Sequence, residues 1–299
     1  MKYIILDLEW DSAYHKKHKR FINQILQIGA VKLNSDFEIE DSIEINIKSN
    51  FAKKVSGRFA RLTGITTEIM QSGISFEEAV EKYNNWVGFD TVTMTWSNSD
   101  LFTILENEEF LFDGKRSIKI EKYLDLQKFI QGEMRILGND IKNQISLSDA
   151  AEIFNIKTDS FDLHTAKDDS LLAAAMLKKC YNEDRFNALV QNTADQSFYK
   201  RLTFKPYPIS DINDSLIDKK LLKFRCDECK RTARRITEWK YRNRWFSAKF
   251  ECKKCKTEFT GRIMFKKTFD SIEVKKKILK PQIETGSKSN EVQPLPEKL

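Results

Sequence analysis

The feature that most limits the fold of this chain is a strand-forming run near its N-terminus, Tyr3-Ile-Ile-Leu-Asp-Leu-Glu-Trp10. The apolar part is long enough for a buried strand. Side chains alternate faces along a strand, so Asp7 and Glu9 point one way and Leu6 and Leu8 the other. Two carboxylates side by side on a buried strand repel each other and lose hydration, and a divalent cation removes both costs. Taken alone, the pair also fits an ordinary strand end. It gains force only from acids further along.

At 299 residues the chain has room for more than one folded unit. No apolar run approaches the ~20 residues that span a bilayer, so no membrane partner is expected. One Lys precedes the strand, which does not read as a secretory signal. Of five cysteines, four lie in Cys-x-x-Cys pairs, which points to metal rather than disulfides and to a cytoplasmic location. The formal charge of +7 is unevenly spread: residues 221–268 hold sixteen Lys/Arg against five Asp/Glu, while residues 1–220 are net acidic. Such a split suggests a basic module that meets a polyanion.

Asp11 to Arg20, with its His-Lys-Lys-His-Lys-Arg run, reads as an exposed loop. Ile22 to Leu33 and Phe37 to Ile47 read as strands that complete an antiparallel meander with the first. Ser75 and Glu78 form a capping box that opens a helix to about Trp86. Asp90 to Trp96 reads as a short strand, which puts Asp100 at a strand-to-helix corner before a helix over 101–106. Further helices are expected at Leu124–Gln131, Ser146–Phe154, Thr165–Cys180 and Asp184–Gln191. The inner stripe of the Thr165–Cys180 helix reads as Leu171, Leu172, Ala175 and Met176.

The acids are now Asp7, Glu9, Asp100 and Asp168 or Asp169, with His164 just upstream. With Asp-Leu-Glu, Trp96-Ser-Asn-Ser-Asp100 and His164-Thr-Ala-Lys-Asp-Asp169 in this order, residues 1–182 resemble the DEDDh 3′–5′ exonucleases. The second of these motifs is similar to its form in the branch of eukaryotic histone-mRNA and small-RNA exonucleases and bacterial sporulation-inhibitor-like proteins. Arg61-Leu-Thr-Gly-Ile-Thr and Tyr123-Leu-Asp-Leu resemble connecting segments of that branch. The resemblance implies an α/β, RNase H-like mixed sheet flanked by helices. Helix geometry alone favours Asp168, one turn below His164. The family pattern favours Asp169 and implies that His164 lies in the loop before the helix. The resemblance thus assigns the fourth acid to Asp169, although Ser170 stands where the family more often has Ala. Oxygen ligands suit two Mg²⁺ or Mn²⁺ ions that clamp an in-line phosphoryl displacement, held by Asp7, Glu9, Asp100 and Asp169. His164 would be the general base. The resemblance also implies that the neighbourhood of Leu8 and Trp10 holds a terminal nucleotide. Trp10 either stacks on a base or belongs to the core.

Cys226-Asp-Glu-Cys229 and Cys252-Lys-Lys-Cys255 have the spacing of a structural four-cysteine zinc site, with one Zn²⁺ in a closed tetrahedron. Arg235 to Tyr241 and Arg244 to Phe250 read as strands turning near Asn243, which resembles a zinc ribbon. Trp239 with Tyr241, and Phe246 with Ala248 and Phe250, share strand faces. Arg235, Arg242 and Arg244 are candidate contacts to single-stranded nucleic acid. The expected organisation is an exonuclease domain over 1–198, a linker over 199–220, a basic ribbon over 221–268 and a disordered tail over 269–299. The expected activity is 3′–5′ exonucleolytic release of nucleoside 5′-monophosphates from a single strand, RNA slightly before DNA, with the ribbon aiding binding. A non-catalytic binding or regulatory protein on the same scaffold is the alternative, as is a ribbon that docks a protein partner.

Overall fold

The computed structural model describes residues 1–16, 18–158, 161 and 164–280. The chain divides into two compact units, Met1–Thr203 and Phe204–Leu299.

In the first unit, β1 (Lys2–His15), β2 (Arg20–Leu33) and β3 (Ile39–Asn46) form the expected antiparallel meander. Next come α1 (Gly57–Thr63), α2 (Thr67–Ser72) and α3 (Phe76–Val87), then β4 (Thr91–Thr95) and α4 (Ser99–Leu111). After them lie β5 (Lys122–Asp125), α5 (Leu126–Ile136), α6 (Leu147–Ile153), α7 (Ala166–Cys180), α8 (Glu183–Asn187), β6 (Gln191–Asn192) and α9 (Gln196–Thr203). β4 lies parallel to β1, β5 parallel to β4 and β6 antiparallel to β5, giving the sheet order β3-β2-β1-β4-β5-β6. This is the mixed sheet flanked by helices that the resemblance implies.

The period-two alternation of β1 explains why there are two cores. Tyr3 and Ile5 pack with Val31, Phe129, Leu172 and Met176 on the α5/α7 side. Ile4, Leu6 and Leu8 pack with Tyr83, Leu101 and Ile104 on the α3/α4 side. The Ser75–Glu78 capping box is present at α3.

Several expectations shift. Asp11–Arg20 is not one loop: β1 and β2 stay paired as far as His15 and Arg20. Tyr14 and Phe21 meet across this hairpin at 5.4 Å, the kind of cross-strand pair that carries a strand out into solvent. The stretch read as a helix from Leu124 begins instead as β5. Asp125 caps α5, its carboxylate accepting the Lys128 N–H, and α5 runs on to Ile136. On α7 the buried side is Leu172, Ala173, Met176, Leu177 and Cys180, while Leu171 and Ala175 are only half-buried. Contact with the sheet rotates the stripe away from the most apolar-looking pairs.

The second unit is an antiparallel sheet of β7 (Tyr207–Pro208), β8 (Arg234–Arg235), β9 (Lys240–Arg242), β10 (Trp245–Glu251), β11 (Glu258–Lys267) and β12 (Ile272–Leu279). The turn between β9 and β10 falls at Asn243 and Arg244, both with positive φ, as a two-residue hairpin turn requires. Phe246, Ala248 and Phe250 share the buried face as expected, Trp239 packs against this core and Tyr241 is 39% exposed. Residues 199–220 are not a free linker: α9 reaches Thr203, β7 pairs with β11, and Ile209 and Ile217 are buried in the core. Nor does the ordered chain stop at 268, because β12 pairs with β11 along its whole length. Tail residues 281–299 lie outside the described residues.

Candidate active site

The four acids come from three elements whose placement follows from small sequence features. Asp7 and Glu9 lie on one face of β1, at half-buried positions. Opposite Asp7 on β2 is Gly29. A Cβ there would come within 2.3 Å of the Ala166 carbonyl carbon and the Lys167 nitrogen. Glycine thus lets the first turn of α7 lie directly on the strand. Gln27, opposite Glu9, accepts the Ala166 N–H through Oε1 at 3.3 Å and donates through Nε2 to Asn46 Oδ1 at 2.9 Å. This supplies an N-terminal amide of α7 with the acceptor it lacks within the helix. Thr165 is the N-cap, its hydroxyl accepting the Asp168 N–H. Just after Glu9 the register slips by one residue, a bulge in which no β1 residue faces Leu26, whose carbonyl instead accepts the Ile47 N–H at 2.8 Å.

Asp7, Glu9 and Asp169 each offer an oxygen, and these oxygens lie within 4.8 Å of one another. It is thus Asp169, rather than Asp168, that joins the β1 pair. His164 lies outside α7 at φ 74°, a left-handed conformation uncommon for a non-glycine residue. It is exposed, and its backbone N–H approaches Asp169 Oδ1 at 3.5 Å.

Asp100, in the first turn of α4, is 3% exposed, and its Oδ1 has no hydrogen-bond partner among the described residues. The corner that delivers it is pinned by Tyr123 of β5. The Tyr123 hydroxyl is 2.7 Å from Thr95 Oγ1 and donates to Asn98 Oδ1 at 3.0 Å. Gly29, Gln27 and Tyr123 were not among the sequence candidates. Only the position of Gly29 inside a β-branched run signalled a close backbone approach.

Burial disfavours all four acids as anions, and repulsion within the group adds to it at Asp7 and Glu9. Burial, then repulsion from Asp100, Glu9 and Asp169, holds the Asp7 carboxyl well above its ordinary range. Burial and the charges of Asp169 and Asp100 push Glu9 up to about 8. Burial pushes Asp100 to about 7, against the pull of its own amide and that of Leu8. Asp169 is raised by burial, and the His164 amide and imidazole draw it partly back. Four carboxylates disfavoured as anions, with one buried oxygen unpartnered and only oxygen donors present, fit hard divalent cations.

Of the other candidates, Leu8 is 3% exposed within the α3/α4-side core, so its side chain is not available to a ligand. Trp10 is half-buried against that same core. Arg235, Arg242 and Arg244 belong to the second unit, where all three are exposed.

The second unit also brings Cys226, Cys229, Cys252 and Cys255 together, with their Sγ atoms within 4.8 Å of one another. Each pair sits in the same turn. The first Cys N–H donates to the carbonyl five residues on (Arg231, Thr257), and its carbonyl accepts from the residue four on (Lys230, Lys256). Lys230 and Lys256 both have positive φ. Amides of Cys229 and Glu228 lower the Cys226 thiol to about 6, whereas crowding by the other sulfurs, Cys229 first, raises Cys255. Cys229 and Cys252 sulfurs are 3.4 Å apart, near the roughly 3.8 Å edge of a zinc–thiolate tetrahedron. The donor set fits zinc.

No described helix is long and apolar enough to cross a membrane. No curated protein matches the chain. Among solved structures, cell-death related nuclease 4 (CRN-4) is similar at a TM-score of 0.52 and 20% identity, the match covering 60% of this chain and 62% of that one. The nuclease domain of 3′hExo, a DEDDh family member bound to rAMP, is similar at 0.51 and 20%, covering 60% and 90%. A full-length 3′-exonuclease is similar at 0.52 and 17%, covering 65% and 91%. At these identities the likeness is one of fold. The exonuclease family matches residues 4–177, spanning β1, the β4–α4 corner and most of α7, and this chain belongs to that family.

Proposed function

We propose that the first unit is a 3′–5′ exonuclease that releases nucleoside 5′-monophosphates from single-stranded nucleic acid. The observation that carries this is the convergence of Asp7, Glu9 and Asp169, with Asp100 close enough to shift two of them. Bound there, two Mg²⁺ or Mn²⁺ ions would supply charge neutralisation and an activated water for in-line attack on a phosphodiester. Asp7, Glu9, Asp100 and Asp169 would hold the ions. His164, exposed and beside Asp169, takes the proton from the attacking water. Trp10 and the backbone at Leu8 border the place of the terminal nucleotide. In the second unit the four cysteines would hold one structural Zn²⁺, and the basic module grips the strand, with Arg235, Arg242 and Arg244 among its contacts.

Polarity and substrate draw on the relatives. One similar structure, at a TM-score of 0.50, concerns 3′-end specific recognition of a histone mRNA stem-loop by a 3′-exonuclease, which tilts the reading to RNA. The test is digestion of RNA and DNA strands labelled at either end, with Mg²⁺ or Mn²⁺ and product analysis. Stepwise loss of the 3′ label as mononucleotide is expected, and it should be abolished in Asp7→Ala and reduced by orders of magnitude in His164→Ala. Undiminished activity in both variants would remove the assignment.

A further inference from the structure

The sheet of the second unit has two unlike faces. One carries Phe246, Phe250, Ile263 and Phe265 into the core. The other shows a row that crosses four strands by register: Lys240 opposite Ser247, Ser247 opposite Arg262, and Arg262 opposite Lys277. With strands about 4.8 Å apart, this row is roughly 14 Å wide. Half-buried Trp245 stands beside it, with the Arg262 guanidinium 5.1 Å and the Lys277 ammonium 5.4 Å from its ring centroid.

Charge on this face is unbalanced. Glu251 and Glu273 are engaged by Arg234 at 3.6 Å and Lys266 at 3.7 Å. That leaves Glu258 against Lys240, Arg242, Lys249, Arg262, Lys275 and Lys277, none of which has an acidic partner among the described residues. Arg262 Nε is buried with no hydrogen-bond partner. Its guanidinium is held by the indole rather than by a carboxylate.

We propose that this face is a platform for single-stranded nucleic acid, with phosphates along the Lys240–Arg262–Lys277 row and a base stacked at Trp245. Unpaired cations on a flat sheet call for a polyanion. An indole set among them, already receptive to flat cationic partners, calls for one that carries aromatic bases. The platform rests on the reading of the protein as a nucleic-acid enzyme. It also moves the principal contact from the β9–β10 hairpin tip to the open face of β9–β12.

The test is anisotropy binding of a labelled phosphorothioate strand, which resists hydrolysis, to the full-length zinc-loaded protein across salt concentration. Arg262→Glu combined with Lys277→Glu should weaken binding at least tenfold and reduce the salt slope by about 1.4, the share of two phosphate contacts on a single strand. Trp245→Ala should cost about tenfold with the slope unchanged, and Trp245→Phe should recover most of it. An abasic strand should bind the wild type about tenfold more weakly and ignore Trp245→Ala. Lys253→Glu with Lys254→Glu, the same charge change on the second cysteine turn, should alter affinity less than about twofold.

Wild-type affinity in Trp245→Ala at unchanged zinc content would overturn the platform, as would an equal loss in the Lys253/Lys254 variant. An oligoglutamate peptide that binds as tightly as the strand and is lost with the Arg262/Lys277 pair would overturn it in favour of an acidic protein partner. Hydrolysis of a p-nitrophenyl ester of thymidine monophosphate reports on the carboxylate site alone. If that hydrolysis persists while Trp245 has no effect, the platform falls and the nuclease stands. If it is absent, the nuclease reading falls whatever the strand binds.

Discussion

The two candidate metal sites follow opposite plans. The cysteines sit in two copies of one short turn, each closed by its own backbone hydrogen bonds and by a lysine at positive φ. The carboxylates come from β1, α4 and α7, and are brought together by contacts distant in sequence, such as Gly29 on Ala166 and Tyr123 at the β4–α4 corner. The first site has local geometry and little fold behind it. The second has a large fold behind it and, without a cation, an electrostatic burden. An ion should therefore be a structural necessity in one place and a chemical necessity in the other.

The largest expected effect separates the two. Among the described residues, ten buried hydrophobic side chains form the core of the second unit, a small number for independent stability. Zinc sites in small modules contribute ~10–16 kcal/mol to folding. Cys252→Ser should therefore unfold the second unit while the melting transition of the first unit stays in place. The check is calorimetry with limited proteolysis, and a folded, protease-resistant second unit in the variant would break the contrast.

Next in size is Asp7→Asn. Removing a central ligand should lower hydrolysis by at least about a thousandfold, since the ions' charge stabilisation is worth several kcal/mol. The same variant should melt no lower than wild type in the absence of Mg²⁺, because it replaces a carboxyl whose ionisation burial and the neighbouring acids already oppose by a neutral amide of the same shape. A large loss of stability would mean that the carboxylates, like the cysteines, are structural.

Gly29→Ala tests whether the carboxylate site depends on long-range packing. The new Cβ must displace backbone at 2.3 Å, so α7 and Asp169 have to move. Overpacking costs about 1–3 kcal/mol, and a misplacement near 1 Å costs about a hundredfold in rate. A fall in kcat with KM nearly unchanged is expected. An undisturbed kcat would show that α7 can sit off the strand without consequence.

What could be seen in the sequence divides along the same line. The cysteine turns and the Asp7–Glu9 pair were readable because spacing alone sets their geometry. Period two placed Leu6 and Leu8 opposite the acids, and the capping box marked α3. The family pattern favours Asp169, which clusters with Asp7 and Glu9, whereas helix geometry alone favours Asp168 because it counts from a His164 that lies outside the helix. β5 was missed because four residues leading straight into an amphipathic helix share its apolar pattern. Ile209, Ile217 and β12 were missed because they are ordered only by pairing or packing with strands elsewhere in the second unit. The roles of Gln27 and Tyr123 depend on three-dimensional neighbours that no local pattern reports.

The smallest effect concerns pH. Glu9 at about 8 and Asp100 at about 7 lie above the ordinary carboxylate range near 4, so in the cation-free protein the folded state holds protons that the unfolded chain has released. By linkage their contribution to stability is fully present below about pH 4 and is lost as pH rises through the folded values. With zinc in place but no Mg²⁺ or Mn²⁺, the melting temperature of the first unit should fall by at least about 5 °C between about pH 5.5 and about pH 8, since each carboxyl that releases its proton over that range costs up to about 1.4 kcal/mol per pH unit. Saturating Mg²⁺ should remove most of that fall by favouring the anions, and Glu9→Gln should flatten it without any cation. The four cysteines respond in the opposite sense, since protons compete with zinc for the thiolates and the metal's stabilisation of the second unit weakens as pH falls. Melts of both units at the two pH values, with and without Mg²⁺, therefore set the sites against each other in one experiment. A first-unit slope indifferent to Mg²⁺ would mean that the carboxylates are not a cation site.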